Sequence, residues 1–182
     1  MSRCWRDAIQ TYSGKEFFPL EPKIEDICIE DIAHALSIMA RFGGHSVKHY
    51  SIGQHCIMVS NYCNPKDARW GMAHDFTEAY LSDVCSPVKR HEDFRFYRIA
   101  EARLMAAICE RFDLPEEQPD SVTKADQLVL AAEVRDLMSK PLLGKPHWKC
   151  MDLDVSFIPK ITPLLPENAE VAFMNRYHEL FD

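Results

Sequence analysis

Apolar residues at helical spacing, cut into segments by proline and glycine, constrain this chain more than any other feature. The pattern turns helical at Ile24, and Ile29, Ile32, Ala33, Leu36 and Ala40 recur at intervals of three and four, the repeat of a helix with one buried face. That helix is expected to end near Arg41-Phe42, with Gly43-Gly44 as its stop signal. Ser51 is placed to cap a second helix, SIGQHCIMVSNYC, with Gln54 three residues on as in a capping box. Asn64-Pro65 breaks it, and Pro65 opens a third helix, PKDARWGMAHDFTEAYL. Pro87 marks a turn or short helix, and residues 93–112 form the longest periodic stretch. Pro115 and Pro119 punctuate a loop, Ser121 is placed to cap SVTKADQLVLAAEVRDLM, and ENAEVAFMNRYHELFD closes the chain as a last helix. Residues 11–23, TYSGKEFFPLEPK, read as an extended arm or short hairpin, and residues 139–166, with five prolines, as an irregular surface segment.

Six glycines in 182 residues argue against a glycine-rich β architecture. The expected fold is all-α: a bundle of about six or more helices with a short irregular N-terminal arm. The length suits one domain, with residues 1–26 as the arm, 27–136 as the motif-bearing core, and 137–182 as the irregular segment and closing helix.

A net charge of −7 makes the chain a poor candidate for gripping a nucleic-acid backbone, where a basic footprint is expected. It leaves room for a small anionic substrate held by a few local cations. The seven cysteines are odd in number and contain no CxxC pair, so they read as free thiols of a reducing compartment. The opening MSRCWRDAIQ has no signal-peptide core, and no apolar run approaches the roughly 20 residues of a membrane span. The expected location is the cytoplasm, with no membrane partner.

The stretch GMAHDFTEAYLSD is the chemically odd one. On a helix, Glu78 lies one turn from both His74 and Asp75, among the core-like Trp70, Met72, Ala73, Phe76 and Ala79. Burying such charges without partners costs several kcal/mol, and a divalent cation would offset it. The competing reading is a partly exposed polar stripe. His55 sits among Ile52, Ile57, Met58 and Val59 on the preceding helix, where a satisfied core histidine is the plainer reading. Asp126 stands just before an apolar run, where a helix N-terminal role is the plainer reading. Together they give two imidazoles and two carboxylates from three helices. That N/O set suits Mn, Co, Fe, Ni or Zn better than a thiol site would.

RFGGH (41–45), YSIGQH (50–55), HDFTEAYLSDVCSPVK (74–89) and KADQL (124–128) together resemble the HD-domain metal-dependent phosphohydrolases. The resemblance runs from about Ile27 to Asp136. It is strongest to the bacterial 5′-deoxynucleotidases and the phage HD proteins that include dATP triphosphohydrolases. It implies an HD-type helical bundle, a deoxynucleotide substrate and a homo-oligomer. His55, His74, Asp75 and Asp126 then match the metal ligands, with Mn, Co, Zn, Ni, Fe or Mg as the ion. Glu78 matches the carboxylate that orients or deprotonates the attacking water, and Asp83 one near the sugar hydroxyl and reaction centre. Arg41 matches a phosphate-binding arginine. Phe42 stands where the best-known members carry a larger tryptophan that crowds the sugar 2′ position. Ser86, Pro87 and Lys89 fall in the nucleotide-pocket loop.

The implied activity is cleavage between phosphate and the 5′ oxygen, releasing phosphate from a dNMP or triphosphate from a dNTP, dATP in particular. Two rivals share the fold. An HD-fold di-iron oxygenase would need further histidines such as His45, His49 or His91. A non-catalytic nucleotide-binding module would be expected to lack ligands. His45 and His49 otherwise read as turn residues, His91 as surface, and Cys56 as a small core residue. His34, His147 and His178 belong to no constellation.

Overall fold

The computed structural model describes residues 7–140 and 149–182, the side chains of 149 and 151 excepted. Its first element is the hairpin that TYSGKEFF allowed: Ile9–Gln10 (β1) pairs antiparallel with Glu16–Phe17 (β2), Ile9 opposite Phe17. Gly14, at φ 82°, turns the chain between them. The arm is tied to the helices at two points. The fully buried Phe17 stacks on Tyr80 with ring centroids 4.0 Å apart. Asp31 accepts hydrogen bonds from Ser13 N at 2.6 Å and Ser13 Oγ at 2.9 Å.

The rest is helical, as the periodicity implies. The first helix, Ile29–Ile38 (α1), stops before Arg41. Met39 and Ala40 are extended, and Ala40 bridges to Ser51. Arg41–Gly44 then form a 3-10 turn in which Phe42, Gly43 and Gly44 all take positive φ. The extended step carries Arg41 off the helix, where its N–H donates to Tyr50 O at 2.9 Å.

Ile52–Tyr62 (α2) begins as expected, with Ser51 Oγ accepting from Gln54 N at 3.1 Å. The reciprocal half of the capping box is absent. The Gln54 side chain instead donates to Thr162 O and accepts from Leu164 N, both at 2.9 Å.

The single helix expected over residues 65–81 is broken. A 3-10 turn over Pro65–Asp67 leads into Ala68–Ala73 (α3). Residues 74–77 are turns closed by tight bonds such as Phe76 N to Ala73 O (3.0 Å) and Glu78 N to Asp75 O (3.0 Å). Glu78–Leu81 (α4) follows. Bonding at i+3 tightens the chain to about three residues per turn.

Ser86–Lys89 (α5) is the short helix at Pro87. Arg95–Arg111 (α6) is preceded by a 3-10 turn over Glu92–Phe94. Asp120–Leu137 (α7) starts one residue earlier than its expected cap. Ser121 lies inside it and donates its hydroxyl to Asp67 Oδ2. Pro166–Phe181 (α8) closes the chain.

α2 lies at the centre, packed by α1, α3, α7 and α8. Its approach to α3 is close because residue 71 has no side chain. A Cβ there would lie 2.8 Å from Cys63 Sγ and 3.0 Å from Ser60 Cα. Leu36, Ile52, Cys56, Met72, Phe76, Leu104, Ile108 and Phe173 form the main core. The described part of residues 139–166 is mostly exposed, as expected of a surface segment, but it also contributes to the core. Cys150, Val155, Ile158 and Ile161 are buried against Tyr50, Ala131, Ala132 and Leu137. The segment is irregular, but it covers one end of α7. Among the described residues no helix is long and apolar enough to cross a membrane.

Candidate metal centre

Three elements converge. His55 comes from the middle of α2, His74 and Asp75 from the turn that breaks α3 from α4, and Asp126 from the second turn of α7. The ligand atoms of His55, His74 and Asp75 all lie within 4.8 Å of one another. The two Nε2 atoms are 3.1 Å apart. Asp75 Oδ2 is 3.3 Å from His74 Nε2 and 3.6 Å from His55 Nε2. Asp126 Oδ1 reaches the same His55 nitrogen at 3.2 Å. Metal–ligand bonds of about 2.0–2.1 Å put neighbouring donor atoms roughly 3.0–3.4 Å apart. The 3.1 and 3.3 Å spacings among His55, His74 and Asp75 fall in that range and the 3.6 Å one lies just beyond it, so these three could hold a shared cation. Asp126 is not part of that three-residue group and meets it through His55. Asp126, with 39% of its side chain exposed, forms the open side of the focus; His55 is fully buried.

The hydrogen bonds behind the rings fix which nitrogen faces the focus. His74 Nδ1 lies 2.8 Å from Gly71 O, which can only accept. His55 Nδ1 lies 2.8 Å from Glu133 Oε1. Both Nδ1 atoms therefore carry hydrogen and donate, and both Nε2 atoms turn to the focus. The surroundings demand positive charge there. Burial pulls the His74 pKa down, but the adjacent Asp75 carboxylate outweighs it and lifts the value to about 9. Burial would raise Asp75; His74, His55 and Arg41 outweigh it and hold that carboxylate ionised. A proton or a metal ion satisfies the same demand, and this buried group could hold a metal ion.

Glu133, which the sequence reading missed, organises the back of the site. It has no exposed surface. One oxygen accepts from His55 Nδ1 and the other from Arg41 Nε at 3.2 Å. Its signal was present: it follows Asp126 by seven residues, two turns along one face of α7, as an acid inside the apolar run VLAAEV. Arg41 NH1 extends from this anchor to within 3.5 Å of Asp75 Oδ2. The arginine singled out in the sequence therefore stands beside Asp75 of the candidate metal group. The Phe42 ring centroid lies 5.4 Å from the same guanidinium.

Glu78 opens α4 and is 6% exposed, and its Oε2 has no hydrogen-bond partner among the described residues. Burial, followed by the charges of Asp75 and Asp83, pushes its pKa up to about 9. Asp83 thus lies within electrostatic reach of Glu78. Lys89 is half-buried, held by Glu101 Oε1 at 2.6 Å, and its charge also acts on Glu78 and Asp75. Ser86 and Pro87 are exposed at the head of α5.

The remaining histidines serve elsewhere. His49 Nε2 pairs with Ile38 O at 3.1 Å, His45 N donates to Phe42 O, and His91 lies exposed beside Asp93. None of these three joins the ligand group found among the described residues. His34, expected to be isolated, pairs with Glu170 at 3.0 Å and stacks on Tyr12; His178 pairs with Asp182. Cys56 is buried in the core. His147 lies outside the described residues.

The chain is 35% identical over 173 residues to the protein YfdR of Escherichia coli (strain K12), an alignment that covers 94% of each chain. It is 34% identical over 134 residues to an uncharacterized protein of Rhodobacter capsulatus, covering 69% of this chain and 66% of the other. No family model matches the sequence.

Proposed function

The chain belongs to the family of Escherichia coli YfdR, and for this member we propose metal-dependent hydrolysis of 2′-deoxynucleotides at the 5′ phosphate. This is the activity implied by its resemblance to the bacterial 5′-deoxynucleotidases and phage dATP triphosphohydrolases among the HD-domain phosphohydrolases. One observation carries the reading. Two back-bonded histidines turn Nε2 atoms 3.1 Å apart toward Asp75, and Arg41 NH1 stands 3.5 Å from that same carboxylate. A cation-binding focus with an arginine at its edge suits a phosphate ester.

His55, His74, Asp75 and Asp126 would hold the ion, with Mn, Co, Zn, Ni, Fe and Mg as candidates. A divalent ion there would supply charge neutralisation at the phosphate and an acidified water. The chain's own groups do the rest. Arg41, its Nε fixed by Glu133, turns its terminal nitrogens to phosphate oxygens, where a guanidinium binds two at once. Lys89 adds a second positive charge on the α5 side. Glu78 is the proton carrier: burial, Asp75 and Asp83 favour its neutral form. Once ionised, it takes a proton from a water aligned with phosphorus; as the new oxygen–phosphorus bond forms and the bond from phosphorus to the 5′ oxygen breaks, that proton passes to the departing 5′ oxygen. Asp83 receives the sugar hydroxyl, and Phe42 packs against the 2′ carbon. The product is a deoxynucleoside with phosphate from a dNMP or triphosphate from a dNTP such as dATP. A homo-oligomer is part of the same proposal, and light scattering after size exclusion tests it.

The decisive experiment is a panel of dNMPs, dNTPs and their ribonucleotide counterparts assayed with each of those metals. Release of phosphate or triphosphate from deoxynucleotides, lost in His74→Ala and Glu78→Gln, is the expected result. No release from any member of the panel overturns the proposal. Nucleotide binding without turnover would instead mark a non-catalytic module.

A further inference from the structure

Ser82 closes α4 with φ 66° and ψ 154°, a backbone region essentially reserved for glycine. It stands between Glu78, four residues before it, and Asp83, the next residue. Two hydrogen bonds hold it there. Its N–H donates to Glu78 O at 2.8 Å. Its carbonyl accepts from the Tyr97 hydroxyl at 2.7 Å. Tyr97 is on α6, and the face that grips Ser82 also grips Lys89. Lys89 Nζ lies 5.6 Å from the Tyr97 ring centroid and is ion-paired with Glu101, one turn further along α6. Arg98 adds a bond from its NH1 to Lys89 O at 2.6 Å. One helix face therefore fixes the strained turn before Asp83 and the lysine of α5.

We propose that Tyr97 is a positioning residue: its hydroxyl latches the strained Ser82 carbonyl, so that Asp83 is presented beside Glu78. A non-glycine residue left alone in that conformation relaxes to negative φ, which rotates the following peptide and takes Asp83 with it. The phenol is well suited to the task. Burial, with Glu101, Glu78, Asp83 and Asp75 nearby, raises its pKa, so it remains a donor. The consequence for turnover rests on the hydrolase reading above; the latch itself does not.

The test pairs Tyr97→Phe, which keeps the ring and loses only the donor, with Ser82→Gly, which removes the strain. Tyr97→Phe is expected to lower kcat on the best deoxynucleotide about tenfold and to leave Co(II) affinity unchanged. The double variant Tyr97→Phe/Ser82→Gly is expected to recover most of that loss, because glycine holds the turn without a latch. A phenol that merely packs α6 against the loop predicts no recovery. In melts, Tyr97→Phe is expected to lower Tm by about 2–4 °C, and by less than half as much when Ser82→Gly is also present. Equal Tm losses in both backgrounds overturn the latch, whether or not any nucleotide is hydrolysed. Unchanged kcat in Tyr97→Phe, or no rescue by Ser82→Gly, overturns its role in turnover. An enzyme inactive on the whole panel overturns the hydrolase reading and leaves the Tm test to decide the latch.

Discussion

Glu133→Gln separates the metal-site reading from a merely polar core. Glu133 is fully buried and spends one oxygen on His55 Nδ1 and the other on Arg41 Nε, at 2.8 and 3.2 Å. Glutamine keeps the shape and loses the charge. If its oxygen stays on His55, its NH2 faces the Arg41 N–H, donor against donor. Removing one partner of a buried ion pair costs about 3–5 kcal/mol, and a hydrogen bond to a charged group is worth about 1.5–3 kcal/mol. With shape and one bond retained, the lower range applies, about 2–3 kcal/mol. For a chain of this length that is a fall in Tm of roughly 5–10 °C. The second effect falls on the cation. Loss of a carboxylate behind a ligating histidine weakens metal binding about 10–100-fold. Melts with and without Co(II), together with calorimetric Co(II) titration, measure both. A variant that melts within about 1 °C of the parent and binds Co(II) within about twofold would refute the claim that Glu133 fixes the His55 tautomer and anchors Arg41.

Gly71→Ala is expected to cost about 1–3 kcal/mol, because the new Cβ would meet Cys63 Sγ at 2.8 Å and Ser60 Cα at 3.0 Å. Since Gly71 O also holds His74 Nδ1, Co(II) affinity should fall with Tm; an unchanged melt would show that α3 has room to move. The pH dependence follows from two raised values, His74 and Glu78, each at about 9. The stability they contribute is fully present below their ordinary pKa values, roughly 6.5 and 4.3, and is lost as pH rises through 9. Tm in chelator should therefore decline from mildly acidic pH toward pH 9. Glu78→Gln should flatten that decline, and an identical slope in the variant would refute the assignment. Metal binding near pH 7 should release protons from the same groups, seen as buffer-dependent enthalpy, and a buffer-independent enthalpy counts against it.

The helices were legible in the sequence because amphipathic spacing is local: α2 and its Ser51 cap, α6, α7 and α8 lie where the periodicity put them, to within two residues. The breaks were not, because they answer to tertiary demands. PKDARWGMAHDFTEAYL has uninterrupted helical pattern, yet tightens over residues 74–77, where both His74 and Asp75 must face His55. Ser121 looks like a cap but is used by Asp67; Gln54 looks like half a capping box but is used by residues 162 and 164. The donor set shows the same division. His55, His74 and Asp75, which the structure brings together, were singled out with Asp126 by the motif resemblance, but the groups that orient them were not. Gly71 holds His74 through its carbonyl, which any residue possesses, and Glu133 reaches Arg41 across 92 positions. Glu133 ties His55 of the candidate cation site to Arg41, the proposed phosphate arginine, through one buried carboxylate. A change that disturbs either residue therefore reaches the other, and effects on metal affinity and on nucleotide affinity at this site should not be additive.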